Sequence, residues 1–128
     1  SLPAARTTAA LACATREILR IEDIAAVAVY TATGATARVL SRNRLCRPIL
    51  ALSADVAAVR RMCLYYGVAP VAAKAPEHTR DVLVLAGRFA CERKMARRGD
   101  RIVVVSGRPI GKAGTTNSIV IHTIGSRQ

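Results

Sequence analysis

The sequence predicts an α/β fold, a three-layer arrangement in which a five-stranded, mostly parallel sheet carries helices on both faces. Two observations predict it. Short runs of small and branched aliphatic residues, apolar throughout instead of alternating, recur between longer helical patterns, as expected of strands buried on both sides. The loops behind the first and fourth runs are rich in Thr and Gly, the composition of a chain that turns sharply out of a strand. With 128 residues, no internal repeat and no low-complexity tract, the chain reads as one domain over residues 1–128.

Residues 3–20 are rich in Ala and Leu, with Arg16, Glu17 and Arg20 near their end, which predicts a helix. Residues 25–30 read as a buried strand, and after a Thr-rich loop residues 36–43 form a short helix. Residues 48–52 are a second buried strand. Ser53 is placed to cap a helix that reaches about residue 66, with Gly67 at the C′ position, where a left-handed conformation needs no side chain. Residues 70–73 make a short third strand, and Thr79 caps a helix over 80–95. Residues 101–106 and 118–124 are the fourth and fifth strands, separated by a connector over 107–117 that holds Gly107, Pro109, Gly111 and Gly114.

Hydrophobic residues make up 52% of the chain, enough for a single core, whereas aromatics are only 3% and Trp is absent. The core is therefore expected to be built from small and branched aliphatics, with Phe89 as a filler. Twenty Lys and Arg against eight Asp and Glu give a net charge of +12, which on composition alone raises nucleic acid as a partner. The basic residues, among them Arg16, Arg20, Arg38, Arg42, Arg60, Arg61, Arg88 and Arg93, are instead spread through the helices without aromatics on which bases could stack. That distribution argues against nucleic acid and for solvated helix faces.

Cys13, Cys46, Cys63 and Cys91 contain no C-x-x-C pair, so no zinc or redox motif is visible. Each reads as a small apolar filler, reduced, in a cytoplasmic protein. No secretory apolar region and no run of about 18 apolar residues is present, which excludes membrane spanning and export from the expectation.

The chemistry concentrates at Thr31-Ala32-Thr33-Gly34-Ala35-Thr36. A strand turning into a helix through such a loop gathers unpaired backbone N–H groups and hydroxyls at the positive end of a helix dipole, a setting that suits phosphate. No catalytic or metal-binding set accompanies it. His78 and His122 fall in a loop and in the last strand with no Ser or Asp arrangement beside them, so surface or turn roles are expected. Asp100, after Gly99, reads as turn chemistry.

The stretch from Thr33-Gly34-Ala35-Thr36-Ala37-Arg38 through Pro48-Ile49-Leu50-Ala51-Leu52 resembles the S-G-x-T-A-R…P-I-[IL]-A-[LV] segment of the pyruvate kinase C-terminal domain. Three further family landmarks follow in order: Gly67-Val68-Ala69-Pro70-Val71, then Arg97-Arg98-Gly99-Asp100 with its Val run, then Gly114-Thr115-Thr116-Asn117. Thr33 stands where the family usually has Ser, Asn43 where it has Tyr, and Leu45 where it has Pro.

The resemblance implies the strand order 3-2-1-4-5 with strand five antiparallel at the edge, so that the loops after strands one and four meet in one crevice. It implies that the crevice is an allosteric site. Thr31, Thr33, Gly34, Ala35 and Thr36 would then hold a phosphate, with Arg108 and Lys112 as cations and Gly111 and Gly114 letting the second loop close. Ala32 replaces a Lys, Val82 falls near the position of a second phosphate-binding Arg with Arg80 two residues away, and Arg108 replaces a Trp found in fructose-bisphosphate-activated members. Those departures favour a monophosphate such as AMP, ribose 5-phosphate or glucose 6-phosphate. The resemblance further implies a homo-oligomer, a dimer of this domain within a tetrameric parent whose barrel domain uses Mg²⁺ and K⁺. This chain would be inactive alone. A stand-alone small phosphate-binding or phosphotransfer protein sharing the domain is the alternative.

Overall fold

A computed structural model describes residues 2–107, 110, 112 and 115–125. Along the chain run α1 (Leu2–Ile21), β1 (Ala26–Tyr30), α2 (Ala35–Arg42), β2 (Ile49–Ser53), α3 (Val56–Met62), β3 (Val68–Ala72), α4 (Thr79–Glu92), β4 (Arg101–Gly107) and β5 (Thr116–Thr123). The strands form one sheet in the order β3-β2-β1-β4-β5, parallel except for the antiparallel pairing of β4 with β5. The α/β class, the five strands and their order are as expected from the sequence. β1 lies between β2 and β4, so the strand order reverses there, and a sheet of this kind leaves a crevice at the carboxyl ends of its two central strands.

Strand periodicity sorts the core into two halves. Ala26, Ala28 and Tyr30 of β1 point to one face with Leu50, Leu52, Ile102 and Val104, and meet Val82, Ala86 and Ala90 of α4. Val27 and Val29 point to the other with Ile49, Ala51, Val103 and Val105, and meet Ala12 of α1, Ala37 and Leu40 of α2 and Met62 of α3. Both faces are thus covered, by one helix on one side and three on the other. Phe89 packs against the first half only partly buried, with the Arg88 guanidinium 5.0 Å from its ring centre.

Several sequence expectations need correction. Ser53 is the last residue of β2, not a cap; Asp55 caps α3 by accepting the Ala57 N–H at 2.9 Å. The two residues compete for one role, and the parallel ladder to β3, which pairs Ser53 with Ala72, decides it. α3 ends at Met62, and the turn that follows delivers Gly67 at φ +73° outside any helix. Thr79 is the first residue of α4 and His78 holds the capping position without a side-chain bond, while α4 ends at Glu92, short of Met95. β3 begins at Val68, because Pro70 is tolerated inside an edge strand where its missing N–H faces outward. β5 begins at Thr116, two residues before its expected start.

Burial corrects two further readings. His122 is 5% exposed, not on the surface, and among the described residues its Nδ1 has no hydrogen-bond partner. Burial holds its imidazole below the ordinary histidine range. Conversely Cys13, Cys46 and Cys63 are exposed and are not core fillers, whereas Cys91 is half-buried and packs against the first half of the core as expected. Asp100 does perform turn chemistry, its Oδ2 accepting the Arg97 N–H at 2.8 Å.

Candidate anion site at the carboxyl end of β1

The ladder between β1 and β2 continues one residue past β1, where Thr31 N–H donates to the Leu52 carbonyl at 2.9 Å. This fixes the start of the loop, and Thr31 is buried there. The chain then turns through Gly34, whose φ of +90° is one that side chains rarely adopt. A β-carbon on Gly34 would also lie 3.1 Å from Met62 Cγ, so α3 closes the space behind the turn. α2 starts at the next residue, and its first i to i−4 bond runs from Arg38 N–H to the Gly34 carbonyl at 3.0 Å.

The Thr side chains hold the loop from within. Thr31 Oγ1 accepts the Gly34 N–H at 3.0 Å and Thr33 Oγ1 accepts the Ala35 N–H at 3.3 Å. Each hydroxyl therefore acts as acceptor inside the loop and retains its O–H for a further acceptor. Thr36 Oγ1 lies 2.9 Å from Thr116 Oγ1 at the start of β5. One hydrogen bond between two hydroxyls consumes one proton, so whichever donates, the pair has one O–H left.

These groups border a cavity of about 210 Å³. Thr31, Ala32, Thr33, Ala35 and Thr36 form one wall; Gly107, Lys112, Thr115 and Thr116 form the second; Ala4, Ala5 and Thr8 of α1 close the side. Lys112 is the one cation among the described lining residues, and none of them is a carboxylate. Thr115 Oγ1 donates to the Lys112 carbonyl at 2.7 Å, which ties the second wall to itself. Gly107 lets the two strands of the second wall approach each other: a β-carbon there would fall 2.0 Å from the Thr115 carbonyl oxygen, at the register shift between β4 and β5. An exposed lysine, convergent hydroxyls and a helix N-terminus without competing negative charge make up an arrangement suited to a small anion.

Of the residues singled out from sequence, Thr31, Thr33, Ala35, Thr36 and Lys112 come together at this cavity, and Gly34 lies directly behind its wall. Arg108, Gly111 and Gly114 lie outside the described residues. Arg80 sits apart, in a wider open cleft of about 800 Å³ that runs over residues 75–80 and Ile110. The convergence of hydroxyls and Lys112, with no carboxylate among the described lining residues, marks the smaller cavity as the candidate site, whereas Glu77 lines the larger one. Among the described residues, no group of three or more His, Cys, Asp or Glu side chains gathers to hold a metal ion.

Sequence reasoning missed two contributors. Arg61 on α3 donates from Nη2 to the Thr33 carbonyl at 2.9 Å, pinning the exposed tip of the loop. Nothing local announces it, because it arrives from 28 residues away. Thr116 meets Thr36 across 80 residues, and here the Gly114-Thr115-Thr116-Asn117 motif was a signal that pointed to it.

Comparison with known proteins shows the family of the chain. The family model described as the pyruvate kinase alpha/beta domain matches residues 9–122. A pyruvate kinase of Lactobacillus delbrueckii subsp. bulgaricus is 36% identical over 97 residues, which are 76% of this chain and 16% of that protein. One from Methylorubrum extorquens is 30% identical over 121 residues, 94% of this chain and 25% of that protein. One from Lactococcus lactis subsp. lactis is 31% identical over 117 residues, 91% of this chain and 23% of that protein. The chain thus spans a quarter or less of the length of these relatives.

Proposed function

Because the chain belongs to the pyruvate kinase alpha/beta domain family, we propose that it is the regulatory and assembly part of a cytoplasmic pyruvate kinase, which converts phosphoenolpyruvate and ADP to pyruvate and ATP. Its own site takes a phosphorylated effector, a sugar monophosphate or AMP. The observation that carries the reading is the meeting of the 31–36 loop with Lys112, Thr115 and Thr116 around one cavity free of carboxylates among its described residues. The phosphate would accept from the spare O–H groups of Thr33 and of the Thr36–Thr116 pair, with Lys112 as counter-charge. Arg108, Gly111 and Gly114 would complete the second wall.

Catalysis belongs to the part of the parent enzyme that this chain does not span, and Mg²⁺ and K⁺ would act there. The role of this domain is to favour one quaternary arrangement when the effector is bound, through β5, which carries both Thr116 and the outer edge of the sheet. A partner subunit on that edge would also cover backbone groups otherwise open to unwanted pairing.

Calorimetric titration with AMP, ribose 5-phosphate and glucose 6-phosphate tests the site. The double change Thr33→Ala with Thr36→Ala is expected to weaken binding at least about tenfold, since hydrogen bonds to a charged acceptor contribute about 1.5–3 kcal/mol each. Affinity unchanged in the double variant would place the ligand elsewhere. Fructose 1,6-bisphosphate binding more tightly than every monophosphate would overturn the choice of effector class.

A further inference from the structure

On the three-helix face, α1 and the loop after α2 border a third cavity of about 460 Å³, of the size of small-ligand sites. One wall is a single stripe of α1: Cys13, then Arg16 and Glu17 one turn later, then Arg20. The opposite wall is Arg44, Leu45 and Cys46. Two exposed thiols therefore open into one cavity.

The opposite wall is held in place. Arg44 has a left-handed backbone, φ +50°, and its guanidinium stacks 4.4 Å from the centre of the Tyr66 ring. Arg47 donates to the Ile24 carbonyl at 2.8 Å and to the Cys46 carbonyl at 3.3 Å, anchoring the segment that presents the Cys46 thiol. The charge is one-sided. Glu17 is bonded by Arg20, which with Arg16 holds its carboxyl below the ordinary range. Three guanidinium groups against one carboxylate leave the walls with an excess of positive charge.

We propose that this cavity is a thiol-modification site for a small anionic disulfide, one whose carboxylates pair with Arg16 and Arg44 while a sulfur is presented to Cys13 or Cys46. The step is thiol–disulfide exchange. The cysteine thiolate attacks one sulfur of the small disulfide and the S–S bond breaks. The cysteine becomes a mixed disulfide, and the departing half leaves as a thiolate that takes a proton from water. The small disulfide is the oxidant, so no other redox partner is needed.

The other two cysteines are internal controls. Cys63 is exposed at the end of α3, its Sγ 3.5 Å from the Val59 carbonyl, and borders none of the cavities described above. Cys91 is half-buried in the last turn of α4. The test exposes the intact chain to oxidised glutathione, or to the uncharged 2-hydroxyethyl disulfide, and follows each cysteine by peptide mass mapping. With oxidised glutathione, Cys13 or Cys46 is expected to react about fivefold or more faster than Cys63, and the advantage should shrink in about 0.5 M salt. With the uncharged reagent the advantage should largely disappear. Arg16→Gln, a change on an exposed helix face, should reduce the rate with glutathione and leave the rate with the uncharged reagent unaltered. Equal reaction of Cys63 with oxidised glutathione, or an advantage that is the same for both reagents, would overturn the proposal.

Discussion

β1 and β5 flank the same strand, β4, and both feed the candidate anion site, yet they are built in opposite ways. All five residues of β1 are buried and it has a ladder on each side. β5 has one ladder and, His122 apart, is partly or fully exposed along its length. The polar groups follow the same division. The Tyr30 hydroxyl at the end of β1 donates to the Ala73 carbonyl at 2.6 Å, whereas the buried His122 Nδ1 on β5 has no partner among the described residues. The central strand fixes one half of the site rigidly, and the edge strand contributes the other half with less to hold it.

The largest expected effect tests that contrast in the core. Val29→Ala removes two buried methyl groups and leaves a cavity, and is expected to cost about 2 kcal/mol in urea unfolding. Val120→Ala on β5, only partly buried, should cost less than half as much. Equal losses would mean that the edge is packed as firmly as the centre.

Next in size is Gly34→Ala. The left-handed φ and the approach of Met62 Cγ together predict a loss of about 1–2 kcal/mol. Because the strain lies in the loop itself, sulfate or phosphate affinity should fall with stability. A variant that unfolds more easily yet binds sulfate as before would separate the turn from the site.

His122 sharpens the comparison through pH. Its folded-state pKa lies below the ordinary value of 6.5, because burial penalises the charged form. The unfolded chain therefore takes up a proton before the folded one does. Stability from this group is complete above about pH 6.5 and is lost as the pH falls from there toward the lower folded pKa. Melting temperature measured from pH 8 to pH 5 should decline, and His122→Leu should flatten the decline. An unaltered profile in the variant would assign the pH dependence to other groups.

The smallest effect on stability is expected of Ile121→Lys, an edge position 41% exposed, with a change within about 0.5 kcal/mol. Its effect on assembly should be large. If β5 forms the subunit contact, sedimentation of the unmodified chain will show a concentration-dependent dimer that the lysine variant lacks. A strict monomer at high concentration would remove β5 from that role.

Particular residues show how much was legible in the sequence. The all-apolar run Ala26–Tyr30 announced a strand buried on both faces, because no amphipathic register would leave every second residue apolar as well. The run of Thr and Gly after it announced the loop, and five of the six residues 31–36 do line the cavity. Element ends were less legible. Ser53 and Asp55 are both good caps, and only the pairing of Ser53 with Ala72 shows which is used. The burial of Cys13, Cys46, Cys63 and His122 was not legible for one reason: apolar neighbours in sequence do not reveal which side of a helix or strand a single residue occupies.

Local pattern alone was enough to determine the class of the fold, the number of strands and the position of the anion-suited loop, since strand periodicity, turn chemistry and helix signals act within a few residues. The family resemblance implied that the 107–117 connector meets that loop, and the tertiary structure decided which side chains make the contacts. Thr116 from 80 residues away pairs with Thr36, Arg61 from 28 residues away pins Thr33, and Met62 closes the space behind Gly34. The same holds for Cys13 and Cys46, which share a cavity only because α1 packs beside the segment leaving α2. Such contacts depend on how helices of given length pack across a sheet of given order, and no short stretch of sequence carries that information.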